Sequence, residues 1–404
     1  MPLLRNARLV LPTGVVEGGW LTTEGTRITG LSRLPAGPDP VPAQAAAPVT
    51  VNPAESFDLA GNYLVPGFVD MHVHGGGGAA FSSGQVEQAR VAAAFHLSHG
   101  TTTIMASTVT GALADLERYV ADLGELVEDG LLAGIHLEGP FISKARCGAH
   151  DPDLLRAPDP AAVRRLLKAG RGAVRMVTLA PELEHGIEAT GLLADNGVIA
   201  AIGHTDATYA QANLAIARGA RVATHIFNAM RPVHHREPGP VTAALEQDDV
   251  IVELVNDGMH VHPAVAGLIF AAAGAHRTAL ITDAMSAAGS MDGLYPLGPL
   301  SVEVTGGVAR VAGTDIIAGS TLTMDDALRN AVHSVGVPIE EAVVSASLTP
   351  ARALGLADRI GTLETGKQAD LCVLDEDLRV VAVMRRGQWV HGMGATAFSP
   401  LLAH

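Results

Sequence analysis

The chain has 404 residues, of which 48% are hydrophobic and only 3% aromatic, so a globular protein with an aliphatic core is expected. The length predicts two or three domains, or one large barrel with an accessory domain. Its formal net charge of −15 argues against nucleic acid and anionic membrane surfaces as partners, because both require clustered Lys and Arg. An anionic substrate would therefore need a local cationic pocket.

The cysteines and the apolar segments indicate the compartment. The two cysteines, Cys147 and Cys372, exclude a disulfide framework. The N-terminal residues lack the charged and apolar regions of a signal peptide, and the longest apolar segment, 264–275, is too short to span a bilayer. We therefore expect a cytoplasmic protein.

Residues 63–356 have the pattern of a parallel α/β fold. Strand-like runs alternate with Ala-rich helical stretches, for example Gln85–His96, Leu113–Glu128 and Ala161–Ala169. Eight strand-like runs over roughly 220 residues match the size of a (β/α)8 TIM barrel. The predicted strands are Leu64–His72, Thr101–Ala106, Ala133–Leu137, Val174–Leu179, Val198–Ile202, Val222–Ile226, Val250–Val255 and Thr278–Thr282.

The segments on either side of this barrel have a different pattern. Residues 3–31 are short strand-like pieces separated by turns, and strands and turns return from Gly361 onward. We therefore predict that residues 1–62 and 357–404 together form a small β-sandwich domain beside the barrel. The Pro- and Ala-rich residues 35–50 are predicted to form an exposed loop.

Three further elements are predicted between the eighth strand and residue 357. Leu300–Val311 is predicted to be a β insertion with a turn at Gly306-Gly307, and Thr323–Val335 is predicted to be a helix. Thr349 and Pro350 predict a second helix start, with Thr as the N-cap and Pro at the first helical position.

The sequence PGFVDMHVHGGGG, residues 66–78, closes the first predicted strand. Period-two alternation places His72 and His74 on one face, and the glycines that follow leave room for an ion and a ligand. Imidazole ligands suit zinc, iron or nickel better than magnesium or calcium. Taken alone, the HxH pattern also fits two solvated histidines at a strand end.

Six of the eight predicted strands end in residues that can bind a metal or move a proton. In a TIM barrel these ends meet at one rim, where the active site lies. A single His near a strand end is more often a hydrogen-bonded structural residue, but six such ends at one rim predict a metal centre. The strand ends are His72 with His74, His136 to Pro140, Gly203 to Asp206, Thr224 to Met230, Asn256 to His260, and Thr282 to Met285.

Glu138, His204 and His225 would supply one carboxylate and two imidazoles and leave positions open for water, which is typical of a catalytic metal site rather than a closed structural one. A metal there would lower the pKa of bound water and polarise a carbonyl. Asp283 is the natural base, which could take a proton from that water and return it to a leaving group. The alternatives for Asp283 are a helix N-cap and a further metal ligand.

With these residues in view, the sequence resembles the amidohydrolase superfamily and, within it, the N-acetylglucosamine-6-phosphate deacetylases. The segments PGFVDMHVHG and LTPARALGL with GTLETGKQADL are generic to the superfamily, whereas HLEGPF, THIFNAM and REPG are specific to the deacetylase branch. GAH, GHTDA, NDGMH and ITDAM match as well, so the resemblance covers the barrel and the C-terminal part of the small domain. The chain also has a glutamate on strand three in place of the strand-four lysine that is common elsewhere in the superfamily.

The resemblance implies a role for each matching residue. It implies that Glu138, His204 and His225 bind the principal metal and that Asp283 is the acid/base. It implies that His150, in GAH, helps to polarise the acetyl carbonyl of the substrate.

The resemblance also implies a site for the sugar phosphate, held by the Asn228-Ala229 backbone, His260 and Arg236. In this family the arginine of REPG reaches over from a neighbouring subunit, so a homodimer is implied. An Arg in a loop is more often simply solvated. A phosphate in so acidic a chain nevertheless needs a cationic donor, and Arg binds phosphate bidentately.

One ligand feature varies in the family, because some members lack the second His of HxH and use a single metal. This chain has both His72 and His74, which favours a second ion bridged by Glu138. Zinc is the expected metal, with iron(II) as the alternative.

The predicted function is therefore metal-dependent hydrolysis of N-acetyl-D-glucosamine 6-phosphate to D-glucosamine 6-phosphate and acetate, by metal-activated water with Asp283 as general acid/base. Alternatives are a deacetylase of N-acetylgalactosamine 6-phosphate and another amidohydrolase, such as a cyclic amidase or a deaminase. A non-catalytic scaffold is disfavoured, because every ligand and the acid/base are present.

Overall fold

The computed structural model describes residues 2–32, 56–83 and 85–393, so the loop predicted at 35–50 lies outside the described residues. None of the described helices is long and apolar enough to cross a bilayer. The described strands are β1 Leu3–Leu11, β2 Gly14–Glu24, β3 Arg27–Leu31, β4 Ser56–Asp58, β5 Tyr63–Pro66, β6 Phe68–Asp70, β7 Gly75–Gly76, β8 Ala79–Ala80, β9 Thr101–Thr108, β10 Gly134–Glu138, β11 Val174–Leu179, β12 Ile199–Ile202, β13 Ala220–Ala223, β14 Ile251–Val255, β15 Thr278–Ile281, β16 Gly293–Leu297, β17 Leu300–Thr305, β18 Val308–Val311, β19 Leu371–Leu374, β20 Val380–Arg385 and β21 Gln388–His391. The described α-helices are α1 Val86–Ser98, α2 Leu113–Glu128, α3 Pro160–Ala169, α4 Gly186–Asp195, α5 Tyr209–Arg218, α6 Gly239–Glu246, α7 Pro263–Ala273, α8 Met324–Asn330, α9 Ile339–Val343 and α10 Thr349–Ala353. Short 3₁₀ turns lie at Phe81–Ser83 and Lys144–Arg146, and π-helical segments lie at Ala331–Val335 and Val344–Leu348.

The predicted barrel strands form one parallel sheet, so the predicted TIM barrel is confirmed. Every residue of β10 is buried, as expected of a strand that is covered on both faces. Helices lie between consecutive strands, and α2 spans the predicted residues Leu113–Glu128. Within the described residues, hydrogen bonds join the eight strands in the order β6, β9, β10, β11, β12, β13, β14, β15.

A side chain closes the gap between the first and last strands of the barrel. Asp70, which ends β6, accepts hydrogen bonds from Thr282 Oγ1 at 2.6 Å and from Thr282 N at 3.3 Å. The next residue along, Asp283, donates its N–H to the carbonyl of His72 at 2.9 Å. This seam brings the residues that follow β6 beside those that follow β15.

A second sheet, here called the outer sheet, combines strands from both ends of the chain, as predicted. In the part of the chain that the structure describes it has eight strands, in the order β21-β20-β19-β5-β1-β2-β3, with β4 paired to β1. The β domain is thus built on one continuous sheet, and its boundaries at residues 62 and 356 stay a prediction. Its apolar side chains form a core separate from that of the barrel, which includes Leu4, Leu9, Leu21, Leu64, Leu371 and Met384.

The single strand predicted over Leu64–His72 is two strands. β5 belongs to the outer sheet and β6 to the barrel, and Gly67 lies between them. A Cβ at Gly67 would lie 2.2 Å from Thr102 Oγ1, so only glycine lets the chain pass this close to β9. The apolar run continues across the break, which is why the pattern predicted one strand.

The predicted β insertion has an additional strand at its start, β16, and forms an antiparallel sheet with β17 and β18. Its turn at Gly306 and Gly307 has positive φ at both residues. Apolar residues of the insertion pack against Val109 and Met285, which follow barrel strands β9 and β15. The insertion therefore stands over the C-terminal rim of the barrel.

The helix predicted to start at Thr349 begins at Ile339 instead. α9 continues through a π-helical segment into α10, and Thr349 has helical φ and ψ of −62° and −51°. Thr349 is therefore not an N-cap, and its Oγ1 donates to the Ala275 carbonyl at 2.7 Å. The helix predicted over Thr323–Val335 is present as α8 and the π-helical segment that follows it.

Candidate active site

The C-terminal rim of the barrel gathers the side chains that were predicted to bind metal. Glu138 ends β10, while His204 follows β12, His225 follows β13 and Asp283 follows β15. His72 follows β6 and is fully buried. Because the C-terminal ends of parallel strands meet at one rim, residues far apart in the sequence share this site.

Glu138, His204 and His225 form the first cluster. Nε2 of His204 and Nε2 of His225 lie 3.1 and 2.9 Å from Glu138 Oε1. The two nitrogens lie 3.1 Å from each other. Two imidazole nitrogens and one carboxylate oxygen thus face a common centre, which is a donor set found at catalytic zinc and iron sites.

His72, His74, Glu138 and Asp283 form the second cluster. His74 Nε2 lies 3.1 Å from each of three atoms, His72 Nε2, Glu138 Oε2 and Asp283 Oδ1. One ligand atom from each of the four residues lies within 4.8 Å of the others. Glu138 contributes Oε1 to the first cluster and Oε2 to the second, which is the position of a carboxylate that bridges two ions.

Carboxylates and imidazoles in the second cluster stabilise each other's charges. Burial alone would raise the pKa of Glu138 and of Asp283, but the neighbouring imidazoles, His72 foremost, hold both pKa values well below their usual range. Burial alone would lower the pKa of His72 and of His74, but the carboxylates outweigh it. The pKa of His72 lies well above its ordinary value, and that of His74 rises to about 9. Glu138 and Asp283 are therefore carboxylates at neutral pH.

In His204 and His72, one from each cluster, a hydrogen bond of the outer ring nitrogen determines which imidazole nitrogen faces the cluster, whereas Nδ1 of His74 and of His225 has no partner among the described residues. His204 Nδ1 lies 2.9 Å from the carbonyl oxygen of Arg146, which can only accept. Nδ1 therefore carries the proton, and Nε2 directs a lone pair at Glu138. His72 Nδ1 donates in the same way to the Glu253 carboxylate at 3.0 Å. Metal-binding histidines in proteins have this arrangement, so the residues present fit a divalent metal.

Three residues of the two clusters have a left-handed backbone, which L-amino acids rarely adopt. The φ angle is +45° at His204, +25° at His225 and +49° at Asp283. Such a conformation costs on the order of 1–3 kcal/mol per residue and is typically kept where function requires it. Each of the three lies just after a barrel strand, where the turn directs its side chain across the barrel mouth.

Asp283 lies between the second cluster and the adjoining cavity. Its Oδ1 is 3.1 Å from His74 Nε2, and its Oδ2 is 3.9 Å from His260 Nε2. The described residues that follow it form turns up to β16, so the alternative role of Asp283 as a helix N-cap is wrong. The alternative role as a metal ligand stays open, because Asp283 belongs to the second cluster.

His150 lies at the edge of the two clusters, with its Nε2 3.5 Å from Glu138 Oε2. Its Nδ1 accepts the backbone N–H of Thr110 at 3.3 Å and lies 2.8 Å from Thr110 Oγ1. Burial lowers the pKa of His150 to about 4, so the ring is neutral at physiological pH. Because Nδ1 is the acceptor, Nε2 carries the proton and presents an N–H donor to the site.

His136, by contrast, is a hydrogen-bonded structural residue. Its two ring nitrogens bond to Ser107 Oγ at 2.9 Å and Thr178 Oγ1 at 2.8 Å. Burial holds its pKa well below the ordinary value, so it is neutral. His136 is therefore a hydrogen-bonded structural residue and not a metal ligand, which was the alternative given above for a single histidine near a strand end.

A cavity of about 550 Å³ adjoins the clusters, which is the size of a small-ligand site. Asn228 and Ala229, which follow β13, and His260, which follows β14, line it together with His150. Burial would lower the pKa of His260, but its Nδ1 donates to Asp257 Oδ2 at 2.7 Å and the pKa is raised. Asp257 therefore stabilises the charged form of a histidine on one wall of the cavity.

Arg236 is a predicted site residue that does not line this cavity in the described chain. Its side chain is exposed, and its Nη1 lies 2.7 Å from Nε2 of the adjacent His235. Its contribution across a subunit interface stays a prediction.

Some residues of the site were missed by the sequence analysis. The signal for Glu253 was a charged residue inside the apolar run IVELV of β14. Thr110 follows β9 and carried no distinguishing signal. Leu297, Ile316 and Ile317, from the insertion and the loop after it, line the outer wall of the cavity and also carried none.

Known proteins resemble this chain over nearly its full length. The model of the amidohydrolase family matches residues 63–390. The N-acetylglucosamine-6-phosphate deacetylase of Bacillus subtilis (strain 168) is 35% identical over 399 residues, which cover 95% of this chain and 96% of that protein. The N-acetylgalactosamine-6-phosphate deacetylase of Escherichia coli O157:H7 is 36% identical over 390 residues, which cover 96% of this chain and 98% of that protein.

Solved structures give the same relationship. An aspartate-to-alanine variant of N-acetyl-D-glucosamine-6-phosphate deacetylase from Mycobacterium smegmatis, in complex with N-acetyl-D-glucosamine-6-phosphate, is 47% identical with a TM-score of 0.89 and covers 96% of this chain and 99% of that chain. The Thermotoga maritima deacetylase is 31% identical with a TM-score of 0.84 and covers 97% of this chain and 100% of that chain. The chain therefore belongs to the amidohydrolase family, in the branch that contains the N-acetylglucosamine-6-phosphate deacetylases.

Proposed function

We propose that this protein hydrolyses N-acetyl-D-glucosamine 6-phosphate to D-glucosamine 6-phosphate and acetate in a metal-dependent reaction. The observation that carries the proposal is the convergence of Glu138, His204 and His225 on one centre, beside Asp283 and next to a cavity that can hold a sugar phosphate. The deacetylases among its relatives support this substrate.

Glu138, His204 and His225 would hold the principal ion, and His72, His74 and the second oxygen of Glu138 would hold another. A bound divalent metal supplies a Lewis acid that polarises the acetyl carbonyl and lowers the pKa of water. Two imidazole nitrogens in each cluster favour zinc, with iron(II) as the alternative, over magnesium or calcium.

Asp283 is the proposed general base and, later, the general acid. Its low pKa means that Asp283 is ionised and has room for a proton, and a bound divalent metal would make the attacking water acidic enough to transfer one to it. It lines the substrate cavity, so the proton can pass on to the amide nitrogen as the C–N bond breaks. The low pKa favours this second transfer, because the departing amine is a much stronger base than Asp283.

His150 is proposed to stabilise the negative charge that develops on the acetyl oxygen. The ring is neutral because burial lowers its pKa to about 4, and its Nε2–H is the donor. Both contacts from Thr110 hold the ring in place before the reaction. A donor that needs no reorientation is most effective at stabilising such a charge.

The phosphate is proposed to bind in the same cavity, which His260, Asn228 and Ala229 line. His260, whose charged form is stabilised by Asp257, would supply one donor from the same chain. In the Asn228-Ala229 backbone the Asn228 N–H donates to the His225 carbonyl at 3.0 Å, so the Ala229 N–H is the donor proposed for the phosphate. Arg236 from a second copy would add a bidentate contact, so we propose a homodimer. The Arg236 guanidinium forms no ion pair within the described residues, which leaves it free for such a role.

The proposed organisation is a barrel over residues 63–356 and a small β domain formed by residues 1–62 and 357–404. The outer sheet, which contains strands from both ends of the chain, supports this division. We also propose a cytoplasmic location, which is supported by the two unpaired cysteines, Cys147 and Cys372.

An acetate-release assay tests the proposal directly. The panel contains N-acetylglucosamine 6-phosphate, N-acetylgalactosamine 6-phosphate and both sugars without phosphate, each with and without a chelator. We expect chelator-sensitive release that is fastest from N-acetylglucosamine 6-phosphate. The galactosamine epimer is the second candidate, because a relative with that activity is 36% identical. Absence of acetate release from both phosphorylated sugars would contradict the proposal.

The Arg236→Ala variant tests the phosphate site. We expect KM for the phosphorylated sugar to rise about 10- to 100-fold, the loss of a charge-assisted contact, with little change for the unphosphorylated sugar. Arg359→Ala is the matched control, because Arg359 is also an exposed Arg without an ion-pair partner in the described chain but lies away from the site. An equal rise in KM for both sugars would exclude a phosphate contact.

A further inference from the structure

Glu253 is a buried carboxylate in the wall of the barrel. It lies in β14 between Val252 and Leu254, and its side chain is inaccessible to solvent. Burying an unpaired carboxylate is strongly unfavourable, so the partners of Glu253 must account for its presence in an otherwise apolar strand.

One oxygen of the Glu253 carboxylate contacts a residue of each side-chain cluster. Oε2 accepts the Nδ1–H of His72 at 3.0 Å and the backbone N–H of His225 at 3.2 Å. Oε1 has no hydrogen-bond partner among the described residues. Within that part of the chain, every hydrogen bond of this side chain therefore goes to a proposed metal ligand, one from each cluster.

The bond to His72 determines which of its nitrogens faces the second cluster. With a proton held on Nδ1 by Glu253, Nε2 is the nitrogen that would give up its proton to a bound cation, and it lies 3.1 Å from His74 Nε2 and 3.4 Å from Asp283 Oδ1. A carboxylate behind a metal-binding His fixes the tautomer and raises the basicity of the ligand nitrogen. A neutral amide in place of Glu253 could present its NH₂ group instead, which would favour the wrong tautomer.

The bond to His225 supports a strained backbone. The φ angle of His225 is +25°, and its N–H is the group that Glu253 Oε2 accepts. The next N–H, of Ile226, donates to the backbone carbonyl of Glu253 at 2.9 Å. The N–H groups of His225 and Ile226 are thus both held by one residue of β14, which sets the direction in which His225 approaches Glu138.

We propose that Glu253 is a positioning residue that couples the two metal positions, with His72 held as a ligand of one ion and His225 as a ligand of the other. The inference rests on one part of the proposed function, which is that the two clusters bind metal ions; it does not depend on the substrate. The second position should depend on Glu253 more strongly, because there the carboxylate acts on the ligand ring itself. At His225 it acts through the backbone.

The test measures Zn²⁺ binding by Glu253→Gln and wild-type protein after chelator treatment, by equilibrium dialysis with elemental analysis. We expect the wild type to take up two ions, and the variant to bind the second ion about 10- to 100-fold more weakly and the first with a smaller loss. Glu253→Asp, which keeps the charge, should recover part of the second-ion affinity. Asp370→Asn is the matched control, since it removes a buried carboxylate near the start of β9, at the other end of the barrel.

A wild-type chain that takes up one ion only, or a Glu253→Gln variant that binds both ions with wild-type affinity, would overturn the proposal. If Glu253→Gln does not fold, Glu253→Met, an uncharged side chain of similar size, takes its place, and wild-type affinity for both ions in that variant would overturn the proposal. Because ion binding is measured without substrate, failure here is distinct from failure of the proposed function, which would show as a fully loaded wild type that releases no acetate.

Discussion

The barrel rim and the outer sheet use opposite means to hold their shape. At the rim, carboxylates and imidazoles are buried within hydrogen-bond distance of one another, and the backbone of His204, His225 and Asp283 is left-handed. The core of the outer sheet consists mainly of apolar side chains, and the polar side chains buried beside them in β2 are the uncharged Thr22 and Thr23. The residues that carry the chemistry therefore lie in a different region from those of the outer-sheet core. Changes at the rim should remove activity with little loss of stability, whereas changes in the outer sheet should lower stability and leave activity unchanged.

The largest loss of activity is expected from Glu138→Gln, because Glu138 belongs to both clusters. Turnover should fall on the order of 10⁴-fold, which is typical of the loss of a central catalytic group. The ion content of the protein should fall as well. Glu182→Gln is the matched control, since Glu182 binds Thr205 Oγ1 and the Asp206 N–H but contacts neither cluster. Thermal unfolding of the chelator-treated proteins checks that stability is retained. A Glu138→Gln variant with wild-type ion content would contradict the role of Glu138 as a ligand in both clusters.

Asp283→Asn should reduce kcat by about 10²- to 10⁴-fold, the typical contribution of a general acid/base. The principal ion should remain bound, because Glu138, His204 and His225 are unchanged. The measurement is kcat together with elemental analysis of the same sample. Full activity in the variant would show that another group moves the proton.

His150→Asn should lower kcat by about 10²- to 10³-fold, the usual loss of one oxyanion donor, with KM and ion content little changed. Thr110→Ala sharpens this prediction, because it removes the Oγ1 contact but leaves the backbone N–H that sets the tautomer of His150. Its effect on kcat should be clearly smaller. Equal effects from both variants would mean that the hydroxyl, rather than the backbone, orients the ring.

Leu21→Ala should change activity least and stability most. Leu21 lies in β2, fully buried in the core of the outer sheet, and Leu-to-Ala changes at such sites lower the free energy of unfolding by about 2–5 kcal/mol. We expect an unchanged kcat/KM below the unfolding temperature. Urea unfolding and the acetate assay measure the two quantities, and a proportional loss of both would show that the outer sheet acts on the site.

Much of the barrel could be predicted because the strands are short, largely apolar runs and six of the eight end in ligand-type residues. The same pattern identified Glu138, His204 and His225, since ligand-type side chains at strand ends must share one rim. The break at Gly67 was not predictable, because the apolar run continues across it. What makes glycine necessary there is the closeness of Thr102, which lies on another strand.

The missed residues share one cause, which is that their partners are set by the fold and not by neighbours in the sequence. Glu253 matters through His72 and His225, and the register of three strands decides that contact. Thr349 looks like a helix start, yet the helix already runs through it because a π-helical segment precedes Pro350. Local patterns describe elements well and describe contacts between elements poorly.

The most direct test of the account measures ion content and acetate release on the same samples of wild-type protein, before chelation, after chelation and after return of Zn²⁺ or Fe²⁺. We predict that activity on N-acetylglucosamine 6-phosphate disappears as the ions are removed and returns when they are restored. Full activity in protein shown to be free of metal would contradict metal-dependent hydrolysis at this site.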